Sequence, residues 1–140
     1  MARRMAFVGF GAAAAITALL SVTQATPPSN IVSGTVLARA SFVAPTDIMF
    51  TSKDGRTEVI QVREAQETVM QQIIIGPGGS TGWHSHPGPA VALIKADALA
   101  LFDSEDPTCT PRIYLAGQAF VDSGQGHVHL GRNPSPTENV

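Results

Sequence analysis

The sequence predicts an all-β domain, a sandwich or jelly-roll β-barrel, behind an N-terminal signal peptide. Three observations carry this. Beyond Ile31 the apolar residues come in short runs parted by turn formers. No helical period longer than two turns survives after the leader. Ten prolines and thirteen glycines punctuate a chain of 140 residues, 44% hydrophobic and 14% charged, so a single domain is the natural count.

The leader comes first. Arg3 and Arg4 form a basic start, Met5 to Leu20 is apolar apart from Thr17, and Thr23-Gln24-Ala25 places small residues at the cleavage positions. A membrane span needs about 20 strongly apolar residues, more than this Ala- and Gly-rich stretch supplies. Residues 1–25 are therefore read as a signal peptide for export to the periplasm or exterior, with no stable membrane insertion after cleavage. The Arg pair matches a twin-arginine signal only in part. Thr26-Pro27-Pro28-Ser29-Asn30 is linker-like, because paired prolines cannot join a sheet, and the domain is expected over 31–140.

Within it, strands are expected at Thr35–Phe42, Asp47–Thr51, Thr57–Val62, Val69–Ile75, Ala90–Lys95, Leu99–Phe102, Ile113–Leu115, Ala119–Val121 and His127–Leu130. Thr57 to Val62 mixes polar and apolar positions as a half-buried strand does. Ile73-Ile74-Ile75 is β-branched throughout and suits a strand buried on both faces. Ser52-Lys53-Asp54-Gly55, Gly76-Pro77-Gly78-Gly79 and Pro87-Gly88-Pro89 are expected as tight turns. Arg63 to Thr68 contains good helix formers, enough for one turn.

Without the leader, seven basic residues face eleven acidic ones, a net charge of −4 with no basic cluster, which argues against a nucleic-acid partner. Export permits disulfides, but Cys109 is the single cysteine, so any bridge is intermolecular, as in a homodimer. No base or helix N-terminus near Cys109 is evident to lower its pKa, which argues against a catalytic thiol.

The strongest signal is histidine. All four lie between positions 84 and 129, as His84-Ser85-His86 and His127-Val128-His129. Residues two apart on a strand share a face, so each pair can aim both imidazoles at one point, the geometry of a bidentate metal clamp. Imidazole suits iron, zinc, copper and nickel, and manganese when carboxylate or water completes the shell. Gly78, Gly79 and Gly82 before the first pair, and Gly124, Gly126 and Gly131 around the second, let backbone bend closely around a centre.

These residues resemble the cupin superfamily. Gly78, His84 and His86 fall on the spacing of its first motif, with Ala90 at the glutamate position and Asp97 at the closing glycine. Gly117, Gly126, His129 and Asn133 answer to the second, with Ser123 in place of proline and one residue inserted. The match covers Gly76 to Asn133, and Gly-Trp-His-Ser-His-Pro-Gly-Pro with Gly-His-Val-His also looks like a small exported subgroup of the family.

The resemblance implies a cupin-type jelly-roll barrel holding a divalent transition metal (Fe, Mn, Zn, Cu or Ni) through His84, His86 and His129. Ala90 removes the family's anionic ligand, leaving a neutral three-histidine face similar to that of cupin dioxygenases. His127 is a fourth ligand if it also turns inward, as regular strand geometry allows. A shell without carboxylate should hold hard ions such as magnesium and calcium poorly. A cupin barrel also continues past the asparagine into another strand, whereas the eleven residues after His129 contain none; a C-terminally truncated member with an exposed sheet edge is the expectation. In exported relatives the cysteine at Cys109 looks like half of a disulfide to a later residue.

Other side chains have plainer readings. Trp83, Phe102 and Phe120 are expected in the core. Asp122 is a turn residue of Asp122-Ser123-Gly124, or else an acceptor that orients a ligand imidazole. Arg112 and Tyr114 face either the barrel mouth or solvent. Three functions stay open: a metal-dependent oxidoreductase acting on a small molecule, with dioxygen chemistry leading; a non-catalytic module binding a small ligand or metal; and a degenerate copy. No residue names a substrate, and a shared fold cannot supply one.

Overall fold

Two long antiparallel strands, β1 (Ser29–Ser52) and β2 (Glu58–Ser80), form the largest element of the computed structural model, which describes residues 25–52 and 58–140. The expected signal peptide, up to its last residue, and most of the Ser52–Gly55 turn lie outside the described residues. Five short strands follow: β3 (Ala90–Leu93), β4 (Ala98–Asp103), β5 (Arg112–Leu115), β6 (Ala119–Asp122) and β7 (His129–Arg132). One sheet runs in the order β1-β2-β7-β4-β5 and a second pairs β3 with β6. The described chain is thus all-β, as a sandwich or barrel requires, and among the described residues no helix is long and apolar enough to cross a membrane.

Four expected strands are fused into these two long ones. The joint in β1 is Pro45, which lies in the irregular stretch between Ser41 and Thr46 where pairing with β2 is interrupted. Proline is tolerated at such a bulge on an edge strand because no ladder hydrogen bond is asked of it. Arg63 to Thr68, expected as a helical turn, is extended within β2, with Ala65 opposite Thr46 and Thr68 opposite Ala40. Cross-strand pairing outweighs a weak helix propensity. Glu64 takes a positive φ of 53° there, and its N–H donates to Asp47 Oδ1 at 2.9 Å.

Gly76-Pro77-Gly78-Gly79, expected as a turn, continues β2 instead. Gly78 has φ +67°, and a Cβ on Gly79 would lie 2.8 Å from the carbonyl oxygens of Ser29 and Asn30. The glycines therefore serve a kink and a close backbone approach. Asn30 fastens the kink by donating Nδ2–H to the Pro77 carbonyl at 3.0 Å.

The core draws on both sheets: Ile75, Ile94, Leu99, Tyr114 and Phe120 are buried together, with Ile31, Ala92, Leu101 and Val140 packed against them. Tyr114 and Phe120 stack with ring centroids 4.7 Å apart, so Tyr114 belongs to the core rather than to a mouth or to solvent. Phe120 is in the core as expected, whereas Trp83 is half-buried outside this cluster, its backbone N–H donating to Thr26 Oγ1 at 2.7 Å. Farther along the hairpin Val36, Leu37, Met49, Val59 and Met70 are exposed.

The C-terminal tail corrects another expectation. The final strand is shifted to His129–Arg132, and the residues after it run back along β2. Asn133 N–H donates to Gly79 O at 2.9 Å, Gly78 N–H to Ser135 O at 3.0 Å, and Ile75 and Val140 exchange backbone bonds at 2.9 and 3.1 Å. The edge of β2 at Ile75 is thereby paired. Asn133 is fully buried; its Nδ2 donates to the carbonyls of Ile75 and Glu138 at 2.9 and 2.7 Å, and its Oδ1 accepts Ser135 N–H at 2.9 Å.

Candidate metal centre

His84 and His129 meet because their backbones pair directly: His84 N–H donates to His129 O and His129 N–H to His84 O, both at 3.0 Å. Residues opposite one another in an antiparallel pair present side chains to the same face. The two rings accordingly lie 4.4 Å apart between centroids. His86, two residues on, brings its ring within 5.1 Å of His129 and 5.9 Å of His84. Each of the three rings offers a nitrogen within 4.8 Å of the other two. This cluster can hold a metal ion.

Backbone carbonyls fix two of the rings. His84 Nδ1 lies 2.9 Å from Gly82 O, and His86 Nδ1 lies 2.8 Å from Gly88 O. A carbonyl can only accept, so Nδ1 carries a proton in both rings, while Nε2 of His86 in turn lies 3.1 Å from Asp122 Oδ2. Burial lowers the His84 pKa below its usual value, the neighbouring His129 and His86 adding to this against the Gly82 bond and Asp122. The neutral, ligating form is thereby favoured.

His127 has a different setting. Regular strand geometry would place it beside His129, but the chain turns at Gln125-Gly126 and β7 starts only at His129. His127 joins Asp122 and His129 in a second, overlapping group. Its Nδ1 lies 2.9 Å from Asp122 Oδ1 and its Nε2 lies 3.1 Å from Asp103 Oδ1. Burial alone would lower its pKa; the bonds to Asp122 and Asp103 outweigh burial and raise it. Both of its nitrogens thus face carboxylate oxygens, which accept.

Asp122, at the end of β6, is the hub. Besides His127, its Oδ1 lies 3.2 Å from His129 Nδ1, and its Oδ2 lies 3.1 Å from His86 Nε2 and accepts Gly124 N–H at 3.0 Å. Its burial works to raise the carboxyl pKa, yet contacts from His129, His127 and His86 hold it far below the usual carboxylate range. Asp103 behaves alike: burial is overcome by the Glu105 N–H and His127, and its pKa falls. Arg112 approaches Asp103 Oδ2 at 3.9 Å.

Gly124 ties these parts together. It has φ +61°, and a Cβ there would collide with the Gly88 carbonyl, the same oxygen that accepts from His86.

The structure therefore brings His84, His86 and His129 together and sets His127 behind Asp122. Asp103 gave no sequence signal, and Asp122 gave only that of a turn or of an imidazole acceptor. A buried carboxylate on a strand that faces three rings is visible only in the pairing of strands. Cys109 is an exposed free thiol, in a loop whose Asp106 Oδ2 accepts Thr110 N–H at 3.0 Å. No protein-family description, curated protein or solved structure matches the chain.

The donor set fits a first-row divalent ion. His129 Nδ1 is buried and has no aligned hydrogen-bond partner despite its proximity to Asp122. A buried nitrogen without an aligned partner, beside two rings whose Nδ1–H groups are held by carbonyls, is the chemistry an imidazole-seeking cation satisfies.

Proposed function

We propose that the protein is an exported, cupin-like metal-binding protein whose His84, His86 and His129 hold a divalent transition ion. The all-β architecture and the histidine cluster are compatible with a cupin-like fold. One observation carries the reading: two independent rings, His84 and His86, each spend Nδ1–H on a backbone carbonyl, and each offers a nitrogen within 4.8 Å of the other and of His129. Such backbone anchoring fixes tautomer and ring orientation, as it does for metal-ligating histidines in general.

The function proposed for the centre is metal-dependent oxidoreductase chemistry on a small molecule, with dioxygen the leading co-substrate. A bound ion would supply Lewis acidity or redox capacity. The protein's part is to fix His84 and His129 on paired backbone, to anchor the His86 ring on the Gly88 carbonyl and to bury His129. Elemental analysis of protein purified without added metal tests the site. Stoichiometric transition metal in the wild type, lost in His84→Ala and His129→Ala, is expected; equal metal in the wild type and His129→Ala refutes it. Oxygen uptake by the loaded protein then separates an enzyme from a binding module.

A further inference from the structure

We infer that Asp122 is the anionic ligand of this centre, supplied from β6, and that His127 and Asp103 are the positioning residues that hold its carboxylate in place. The inference rests on the three-histidine reading and adds to it a charged fourth ligand.

The carboxylate stands where a ligand must. His86 Nδ1–H is spent on Gly88 O, and Nε2 of the same ring faces Asp122 Oδ2 at 3.1 Å. A contact of this kind is bridged either by a proton or by a cation. Two ligands about 2.1 Å from one ion and at right angles to each other are separated by roughly 3 Å, which is the spacing observed. On the other oxygen the buried, unbonded His129 Nδ1 lies 3.2 Å from Oδ1. Two rings of the triad thus each turn a nitrogen on one carboxylate.

Strand register explains the supply. Ala90 in β3 is the direct partner of Asp122 in β6. Residues so paired lie on one face with Cβ atoms about 5 Å apart. A side chain at position 90 that ends at Cβ leaves that face free for the carboxylate opposite. The shell therefore has an anion even though position 90, the place the sequence resemblance gives to one, is alanine.

Electrostatics favours the arrangement. Three neutral imidazoles leave the full charge of a divalent ion in a partly buried site, and one carboxylate offsets half of it. Asp122 is held for the task from two sides, by Gly124 N–H on Oδ2 and by His127 Nδ1–H on Oδ1, with Asp103 gripping the far nitrogen of His127.

Ion selectivity tests this. Imidazole sites accept nickel and zinc, whereas manganese needs oxygen ligands. Titration of the purified full-length protein with Mn(II) and with Ni(II) is compared between wild type and Asp122→Asn. Loss of Mn(II) affinity by about 100-fold or more, with Ni(II) weakened about 10-fold or less, is expected. Equal Mn(II) affinity in the two proteins overturns the ligand role. Equal losses for both ions overturn it too, since they mark a scaffold residue. Should Asp122→Asn fail to fold, infrared difference spectra of wild-type protein carrying 13C-labelled aspartate carboxyls decide: an aspartate stretch that shifts on Mn(II) addition supports ligation, and an unshifted spectrum overturns it. A wild type that takes up neither ion overturns the three-histidine reading itself, whereas Ni(II) uptake without any Asp122 effect overturns this inference alone.

Discussion

Replacing Asn133 by alanine removes the polar tie that seats the C-terminal tail on β2. Three hydrogen bonds are lost, to the carbonyls of Ile75 and Glu138 and from the N–H of Ser135. They are not equal. Ile75 O keeps a second donor in Val140 N–H, and Glu138 is exposed, so water can reach its carbonyl. Their loss costs about the net value of a hydrogen bond each, roughly 1 kcal/mol. Ser135 N–H and the void left by a fully buried amide add about another 1–2 kcal/mol. The sum is about 3–4 kcal/mol, which for a domain of this size lowers Tm by roughly 10–15 °C. Thermal unfolding followed by circular dichroism reads the shift. Amide hydrogen exchange localises it: the Ile75 and Val140 N–H groups, paired in the wild type, lose protection first. A Tm change below about 2 °C, or unchanged protection at both amides, would refute the claim that Asn133 seats the tail.

Three further outcomes follow from the same geometry. Gly124→Ala forces a side chain into a left-handed backbone and against the Gly88 carbonyl that orients His86; a stability loss of about 1–3 kcal/mol and weaker metal binding by about 10-fold or more are expected in urea unfolding and metal titration, and unaltered metal affinity would count against the Gly88 anchor. In metal-free protein the raised His127 pKa makes its stabilisation full below the ordinary histidine value of 6.5 and lost as pH rises through the folded value. The stability difference between wild type and His127→Gln should therefore shrink from pH 6 to pH 9; a difference that is constant or grows contradicts the double carboxylate bond. Phe120→Ala opens the core where it stacks on Tyr114, at a cost of about 3–5 kcal/mol in urea unfolding, and a cost under about 1 kcal/mol would remove Phe120 from the core.

The sequence by itself determined the all-β class, because short apolar runs, turn formers and the lack of helical period are local features. It also drew attention to the two His-x-His pairs, of which the structure brings His84, His86 and His129 together, since residue type and spacing are local features too. It did not determine how far each strand runs. Pro45 and Gly76–Gly79 read as breaks, yet β1 and β2 pass through them, because hydrogen bonds from a distant partner decide whether a bend ends a strand. Nor did it assign His127, whose turn away from β7 depends on the carboxylates of Asp103 and Asp122 reaching its two nitrogens from β4 and β6. The role of Asp122 was the least legible: a carboxylate beside Ser123 and Gly124 looks like turn chemistry until strand pairing sets it opposite Ala90 and against His86. Residue type is encoded position by position, whereas the company a buried charge keeps is fixed only by the packing of strands far apart in the chain.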